Sequence, residues 1–98
     1  MLFVILCSDR PDREHVRLQN RSAHLAFLED YKDRLVAAGP LQSDDGAHMS
    51  GSLLIMDFPD RAAVEAFAAK DPYNLAELFE SVVIRRWKKV LPADATGS

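Results

Sequence analysis

The polar residues best placed to do chemistry lie on one stripe of the first amphipathic helix. When that helix is wound at about 100° per residue, His24 falls in the middle of the apolar face beside Leu28. The same stripe continues toward the helix N-terminus as Arg21 and Arg17. Buried cations are costly unless they are paired, so core packing alone does not explain why an apolar stripe continues as two arginines. The pattern predicts a cleft at that end of the helix.

His24 has two possible roles at such a position. Near pH 7 an imidazole can accept or donate a proton, and a carboxylate bonded to its other nitrogen would set its tautomer. In the structural alternative, His24 is hydrogen-bonded to the backbone, and Arg17 and Arg21 extend along the helix end into solvent. These residues by themselves leave both interpretations open.

Two further segments carry groups that can belong to the same cleft. In Asp71-Pro72-Tyr73 the proline fixes the backbone after a helix, so Asp71 can hold a carboxylate rigidly at the sheet edge. In Gly51-Ser52 the glycine allows close approach of the backbone to a ligand, and Ser52 offers a hydroxyl. In the structural alternative no ligand is involved: the first segment is a rigid turn after a helix, and the second is the exit of a hairpin.

The elements that must position these groups follow the order β-α-β-β-α-β. Apolar runs predict strands over residues 2–7, 41–43, 52–58 and 82–90. Helical spacing covers 14–38, before Gly39-Pro40, and a second helix follows Asp60 as N-cap and ends before Pro72, with one more turn over 74–79. This order predicts an α+β, ferredoxin-like fold with two helices on one face of a four-stranded antiparallel sheet.

The two central strands of that topology are too apolar for a sheet with one wet face. Residues 2–7 and 53–56 are apolar at every position, whereas such strands normally alternate. Two helices cover one face only, so a second copy packed about a two-fold axis is the economical cover for the other. A monomer with an exposed apolar face is the alternative. The last strand carries Arg85, Arg86, Lys88 and Lys89, which is typical of a protected edge.

Composition excludes several functional classes. The 98 residues suffice for one domain, which we expect over 1–92, followed by a flexible tail over 93–98. The net charge of -3 argues against nucleic-acid binding, and strand 53–56 lacks the aromatic residues that an RNA-recognition domain uses for base stacking. The longest apolar run, 1–7, is too short to span a bilayer. We therefore expect a cytoplasmic protein with no membrane partner.

Metal binding and thiol chemistry are also disfavoured. His15, His24 and His48 have no metal-ligand spacing, and His15 faces the opposite side of the helix. The one cysteine, Cys7, ends an apolar strand and is expected to pack as a small apolar group.

Five short motifs together resemble the YciI-like, or YCII-related, family over nearly the whole chain. They are Arg21-Ser22-Ala23-His24-Leu25, Ala38-Gly39-Pro40, Gly51-Ser52, Asp71-Pro72-Tyr73 and Lys88-Lys89-Val90. The resemblance implies a dimeric α+β barrel and an active site around the histidine and the aspartate of these motifs. It also implies lyase-type acid–base chemistry, because one branch of the family eliminates HCl from chlorinated hydroxyquinols.

With this resemblance, the residues predict a homodimeric, cofactor-free enzyme for a small anionic or aromatic substrate. His24 would be its general acid or base, and Asp71 would orient the imidazole. Tyr73 would supply a hydroxyl donor or a ring for stacking. A non-catalytic ligand-binding module would use the same pocket, and haem- or oxygen-dependent oxidation is suggested by the barrel shape alone. The expected substrate contacts are Arg17, Arg21, Ser52 and Tyr73.

Overall fold

The secondary structure of residues 1–93, the part of the chain described by the computed structural model, follows the predicted order. The strands are β1 (Leu2–Asp9), β2 (Leu35–Gln42), β3 (Met49–Asp57) and β4 (Phe79–Trp87). The helices are α1 (Glu14–Glu29), α2 (Arg61–Lys70) and the single turn α3 (Pro72–Leu75), with a 3-10 turn at Lys32–Arg34. The predicted tail over 93–98 lies, apart from residue 93, outside the described residues.

The sheet has the strand order β2-β3-β1-β4 with every pair antiparallel, which confirms the ferredoxin-like α+β fold and the central place of the first and third strands. Side chains alternate along β1, so Phe3, Ile5 and Cys7 are buried beneath the helices. Leu54 and Met56 of β3 point to the same side and are almost fully buried. The core therefore lies between the sheet and the helices.

The opposite face of the sheet carries apolar side chains that no helix covers. Leu6 pairs with Leu53 on one side and with Val83 on the other. These three side chains are 38%, 37% and 44% exposed in the single chain. The predicted apolar outer face is confirmed, and it runs across three adjacent strands.

The predicted end of the first helix is wrong by nine residues. Helix α1 ends at Glu29 instead of residue 38, and Leu35–Gln42 forms the edge strand β2 where only 41–43 were predicted as strand. Leu35 keeps the helical spacing from Leu28, which is why the pattern was indistinguishable from a longer helix. Pairing with β3 decides the conformation, and Pro40 is tolerated because edge strands do not need every N–H.

The other boundaries differ by a few residues. Strand β4 begins at Phe79, three residues before the predicted start, because Leu78 and Phe79 are core residues and the chain rejoins the sheet there. Strand β3 begins at Met49 instead of residue 52. A Cβ at Gly51 would collide with the carbonyl oxygen of Cys7, so the glycine allows close approach to β1 and not to a ligand.

Candidate active site

His24 and Asp71 meet in the interior of the protein. Helix α1 carries His24 on its inward stripe, while Asp71 lies between α2 and α3, where Pro72 starts the short helix. The imidazole Nδ1 lies 2.9 Å from Asp71 Oδ1. The same oxygen accepts the backbone N–H of Tyr73 at 2.9 Å, as a helix N-cap does. The structure brings the two predicted catalytic residues together in one buried hydrogen bond.

The second ring nitrogen of His24 opens to the cavity. Every buried side-chain nitrogen or oxygen in residues 1–93 has a hydrogen-bond partner, and the only hydrogen bond of the His24 ring is at Nδ1. Nε2 is therefore not sealed in the core. Because an ionised carboxylate only accepts hydrogen bonds, the ionised Asp71 places the proton on Nδ1 and leaves the Nε2 lone pair facing outward. This is the arrangement that a general base requires.

Tyr73 packs directly against the imidazole. Its ring stacks on His24 with centroids 4.0 Å apart and an interplanar angle of 16°. The Cζ atom of Arg17 lies over the tyrosine ring, 4.6 Å from its centroid. Both neighbours occupy faces of the ring, so the geometry favours the hydroxyl over the ring face as the group that meets a ligand, beside the Arg17 guanidinium with which it interacts.

Burial raises the pKa of Tyr73, while the positive charge of Arg17 opposes the rise. The net pKa lies above its ordinary value of 10.0, so the phenol keeps its proton at neutral pH. The hydroxyl is therefore a hydrogen-bond donor under ordinary conditions.

Arg17 is buried and paired with Asp9, a residue that the sequence patterns did not single out. Its Nε and Nη2 each donate to one Asp9 carboxylate oxygen at 2.8 Å. Desolvation lowers the pKa of Arg17, but the hydrogen bond and the charge of Asp9 outweigh it and the net pKa is raised. The alternative in which Arg17 extends into solvent is wrong. A buried arginine signals that a carboxylate is near, yet no local pattern identifies Asp9 as that group.

A cavity of about 220 Å³ lies beside these residues. The strand residues 38–40 and Met49, which the sequence analysis did not predict as site residues, form part of its wall. The lining combines apolar side chains with a few polar groups, as small-molecule sites commonly do. The lining residues are Arg17, Arg21, His24, Leu25, Leu28, Ala38, Gly39, Pro40, Met49, Ser52, Leu54 and Tyr73. All four predicted substrate contacts are among them.

Arg21 and Ser52 supply the uncommitted polar groups of this cavity. Within residues 1–93, Arg21 forms no hydrogen bond or ion pair, so its guanidinium is available to an anion. Ser52 is only 3% exposed, and its hydroxyl has no protein partner in the described part of the chain. Since no unpaired side-chain oxygen there is sealed from solvent, Ser52 Oγ reaches the cavity.

Other chemistries have less support within the described residues. No group of three or more His, Cys, Asp or Glu side chains is placed to hold a metal ion in residues 1–93. Cys7 is buried, and desolvation together with the nearby charge of Asp71 raises its pKa to about 12. A thiol that holds its proton so strongly is a poor nucleophile, which agrees with the predicted packing role. No helix in residues 1–93 is long and apolar enough to cross a membrane.

Two solved structures resemble this chain in fold. The 5-chloro-2-hydroxyhydroquinone dehydrochlorinase of Burkholderia phenoliruptrix, in complex with 2,5-dihydroxybenzoquinone, is 39% identical with a TM-score of 0.84, over 90% of this chain and 94% of that one. An antibiotic biosynthesis monooxygenase is 16% identical with a TM-score of 0.52, over 91% of this chain and 100% of that one, and shows the fold alone.

Sequence comparison gives the family. Protein YciI of Escherichia coli is 39% identical over 97 residues, covering 92% of this chain and 99% of that protein. An uncharacterized protein of Haemophilus influenzae is 35% identical with the same coverage. The model of the YCII-related domain matches residues 1–88. The chain belongs to the YCII-related family.

Proposed function

We propose that this protein is a cofactor-independent enzyme in which His24 and Asp71 perform acid–base catalysis on a small phenolic or quinol substrate. One observation carries the proposal. The imidazole is held at Nδ1 by a buried carboxylate 2.9 Å away, while Nε2 opens to a cavity beside an unpaired cation, Arg21. A structural histidine would be satisfied on both nitrogens or exposed on the surface.

The reaction class is supported by the similarity to the dehydrochlorinase, which is 39% identical to this chain. In an elimination of this kind, a proton moves from a ring hydroxyl to the carbon that bears chlorine. A second hydroxyl proton is then removed as chloride leaves. A chlorinated hydroxyquinol becomes a hydroxyquinone, a proton and a chloride ion, so no external oxidant or metal is required. The chain needs one group that repeatedly takes and returns a proton, and His24 fills this role.

The remaining polar lining suits a substrate that becomes a phenolate. Arg21 would hold the anionic oxygen, since the Arg17 guanidinium is already paired with Asp9. Ser52 and the hydroxyl of Tyr73 would bond the other ring oxygens. Leu25, Leu28 and Leu54 offer an apolar wall to the ring itself.

Turnover of 5-chloro-2-hydroxyhydroquinone tests the proposal. We expect the wild-type protein to release chloride and form the quinone, and Arg21→Met to lose affinity while the protein stays folded. Binding of 2,5-dihydroxybenzoquinone is measured in parallel by calorimetry. Saturable binding of that quinone, without turnover of the chlorinated hydroxyquinol or of related halogenated phenols, would instead favour a non-catalytic binding module.

We also propose that the protein is a cytoplasmic homodimer closed through the apolar sheet face. Covering Leu6, Leu53 and Val83 would recover about 25 cal/mol for each Å² of apolar surface removed from water. A reducing compartment also suits the free thiol of Cys7. Sedimentation at micromolar concentration should give twice the chain mass of 11.0 kDa, and Leu53→Lys should give the single chain. A wild-type protein that sediments as one chain contradicts the dimer.

A further inference from the structure

We infer that Asp9 is a positioning residue for His24 and acts through Arg17 and Tyr73. The inference rests on the proposed function, because it takes His24 as the group that moves protons. Asp9 lies at the end of β1 and touches neither His24 nor Asp71 through any hydrogen bond. Its effect on the imidazole passes along a column of three side chains, in which Asp9 holds Arg17, Arg17 packs on Tyr73 and Tyr73 stacks on His24.

The column is built by the spacing of helix α1. Arg17 and His24 lie seven residues apart on one stripe, which separates their Cα atoms by about 10.5 Å along the axis. The ring of Tyr73 lies 4.6 Å from the Arg17 Cζ atom and 4.0 Å from the His24 ring centre. The tyrosine ring therefore fills the gap between the two helix side chains, with the guanidinium on one side and the imidazole on the other.

Asp9 fixes the far end of this column. The carboxylate takes two parallel hydrogen bonds of 2.8 Å from Arg17, and the two side chains are only 3% and 5% exposed. Two-point bonding sets the orientation of the guanidinium as well as its position. Asp9 lies where the register between β1 and β4 shifts after Ser8, with one extra residue on the β4 side.

The imidazole needs this second constraint. Asp71 contacts a single ring atom, so its hydrogen bond alone holds the tilt of the ring plane only loosely. The face of Tyr73, stacked on the imidazole, restricts this tilt, so the Nε2 lone pair keeps one direction into the cavity. A misplacement of about 1 Å in a catalytic group costs on the order of 10²-fold in rate.

Stability is a weak explanation for the pair. Replacing a buried ion pair by apolar side chains of similar volume is often neutral or stabilising, so the fold itself does not demand one here. The charge and hydrogen-bond geometry of the pair fix the orientation of the side chains in the column, which apolar packing would not do.

The test uses a variant in which no buried charge is left alone. Asp9→Asn together with Arg17→Met removes the ion pair and keeps the side-chain volumes similar, and thermal unfolding verifies the fold. Arg34 provides the matched control, because its Cζ atom lies 5.4 Å from the ring centre of Phe58, and neither residue lines the cavity. Arg34→Met therefore removes a similar contact elsewhere.

We expect the double variant to lose about 10- to 100-fold in kcat on 5-chloro-2-hydroxyhydroquinone, with KM within about twofold of wild type. Nitrogen-15 spectra of the His24 ring should show one ring environment in the wild type and in Arg34→Met, and broadened signals from several ring orientations in the double variant. A folded double variant with wild-type kcat and unchanged ring spectra overturns the inference. A raised KM at unchanged kcat also overturns it, because Arg17 would then be a direct substrate contact.

The spectra separate this inference from the proposed reaction, because they need no substrate. If the wild type turns over no chlorinated hydroxyquinol and the ring spectra of the double variant still change, the reaction is wrong and the positioning role stands. If the ring spectra do not change, the positioning role is wrong whatever the wild type turns over.

Discussion

Two histidine–carboxylate pairs in this protein share one distance and differ in surroundings. The Nδ1 atom of His24 lies 2.9 Å from Asp71, and the Nδ1 atom of His48 lies 2.9 Å from Glu14. The side chains of the first pair are 9% and 5% exposed, whereas those of the second are 73% and 32% exposed. His24 of the first pair lines the cavity of about 220 Å³, whereas both residues of the second pair line a separate cavity near the N-terminus of helix α1.

The comparison shows that contact distance alone does not mark a site. Water screens an exposed pair, so its two groups influence each other weakly, whereas a buried pair interacts through a medium of lower dielectric constant. Glu14 also accepts the backbone N–H of Met49 at 2.8 Å, which ties the β2–β3 hairpin to helix α1. The exposed pair is thus an anchor for a loop, and the buried pair is the one whose two groups interact strongly where His24 meets a cavity.

The largest expected difference between the pairs is in turnover. His24→Ala removes the general base and should lower kcat by about 10²- to 10⁴-fold, the usual contribution of such a group. His48→Ala removes the same chemistry from the exposed pair and should leave kcat within about twofold of wild type. Initial rates of chloride release with 5-chloro-2-hydroxyhydroquinone give both values.

The folded state of each histidine variant is verified by circular dichroism and thermal unfolding. Equal losses of kcat in the two variants would contradict the distinction between the pairs, because the buried histidine would then contribute no more to turnover than the exposed one. A His24→Ala protein within a few-fold of wild-type kcat would reject His24 as the base.

A smaller effect is expected at the carboxylate of the buried pair. Asp71→Asn keeps an oxygen that can accept the Tyr73 N–H but removes the charge that stabilises a protonated imidazole. Hydrogen bonds to charged groups contribute about 1.5–3 kcal/mol, which corresponds to about 10- to 100-fold in kcat. Steady-state kinetics measure the loss, and Asp57→Asn, at a carboxylate paired with the chain N-terminus outside the cavity, is the matched control. Wild-type kcat in Asp71→Asn would show that the imidazole needs no charged partner.

The fold was predictable where the pattern of apolar residues along the chain indicates which strands are buried. Strands β1 and β3 are apolar on both faces, and that pattern places them in the centre of the sheet. The end of α1 was not predictable, because Leu35 keeps the spacing of the helix that precedes it. The strand conformation of β2 depends on pairing with β3, whose partner residues lie 7 to 21 positions away in sequence. Long-range pairing of this kind leaves no local signal.

The candidate site was predictable only in part, for the same reason. The helix stripe brings His24, Arg21 and Arg17 to one place, because helical spacing is local. The contact between His24 and Asp71 joins residues 47 positions apart, and no spacing rule reports it. Asp9 lies in a segment that resembles an ordinary turn, and its pairing with Arg17 joins the end of β1 to helix α1, a contact that no local pattern reports.

The stability contributed by the exposed pair should fall in acid, where Glu14, the residue that anchors the loop, loses its charge. The hydrogen bond from Met49 N–H, and then the one from His48, lower the pKa of Glu14 below its ordinary value of 4.5. The stability contributed by ionised Glu14 is therefore present above pH 4.5 and is lost as the pH falls through the lowered pKa. Glu14→Gln should have a slightly lower Tm than wild type at pH 7, with kcat within about twofold of wild type.

Thermal unfolding between pH 7 and pH 3 measures this effect. The difference in Tm between wild type and Glu14→Gln should shrink below pH 4.5 as the wild-type carboxylate becomes protonated. A difference that stays constant down to pH 3 would mean that Glu14 acts through packing instead of charge.

The smallest expected signal comes from Cys7, a buried neighbour of the first pair. Desolvation, with the charge of Asp71 adding to it, raises the pKa of the thiol to about 12. The folded protein at pH 8 should resist iodoacetamide, because only the thiolate reacts, and labelling in urea should be complete. Mass spectrometry counts the adduct. Rapid labelling of the native protein would show that the thiol is open to water, and Asp71, whose charge acts on that thiol, would then share the solvent exposure of the pair on the surface.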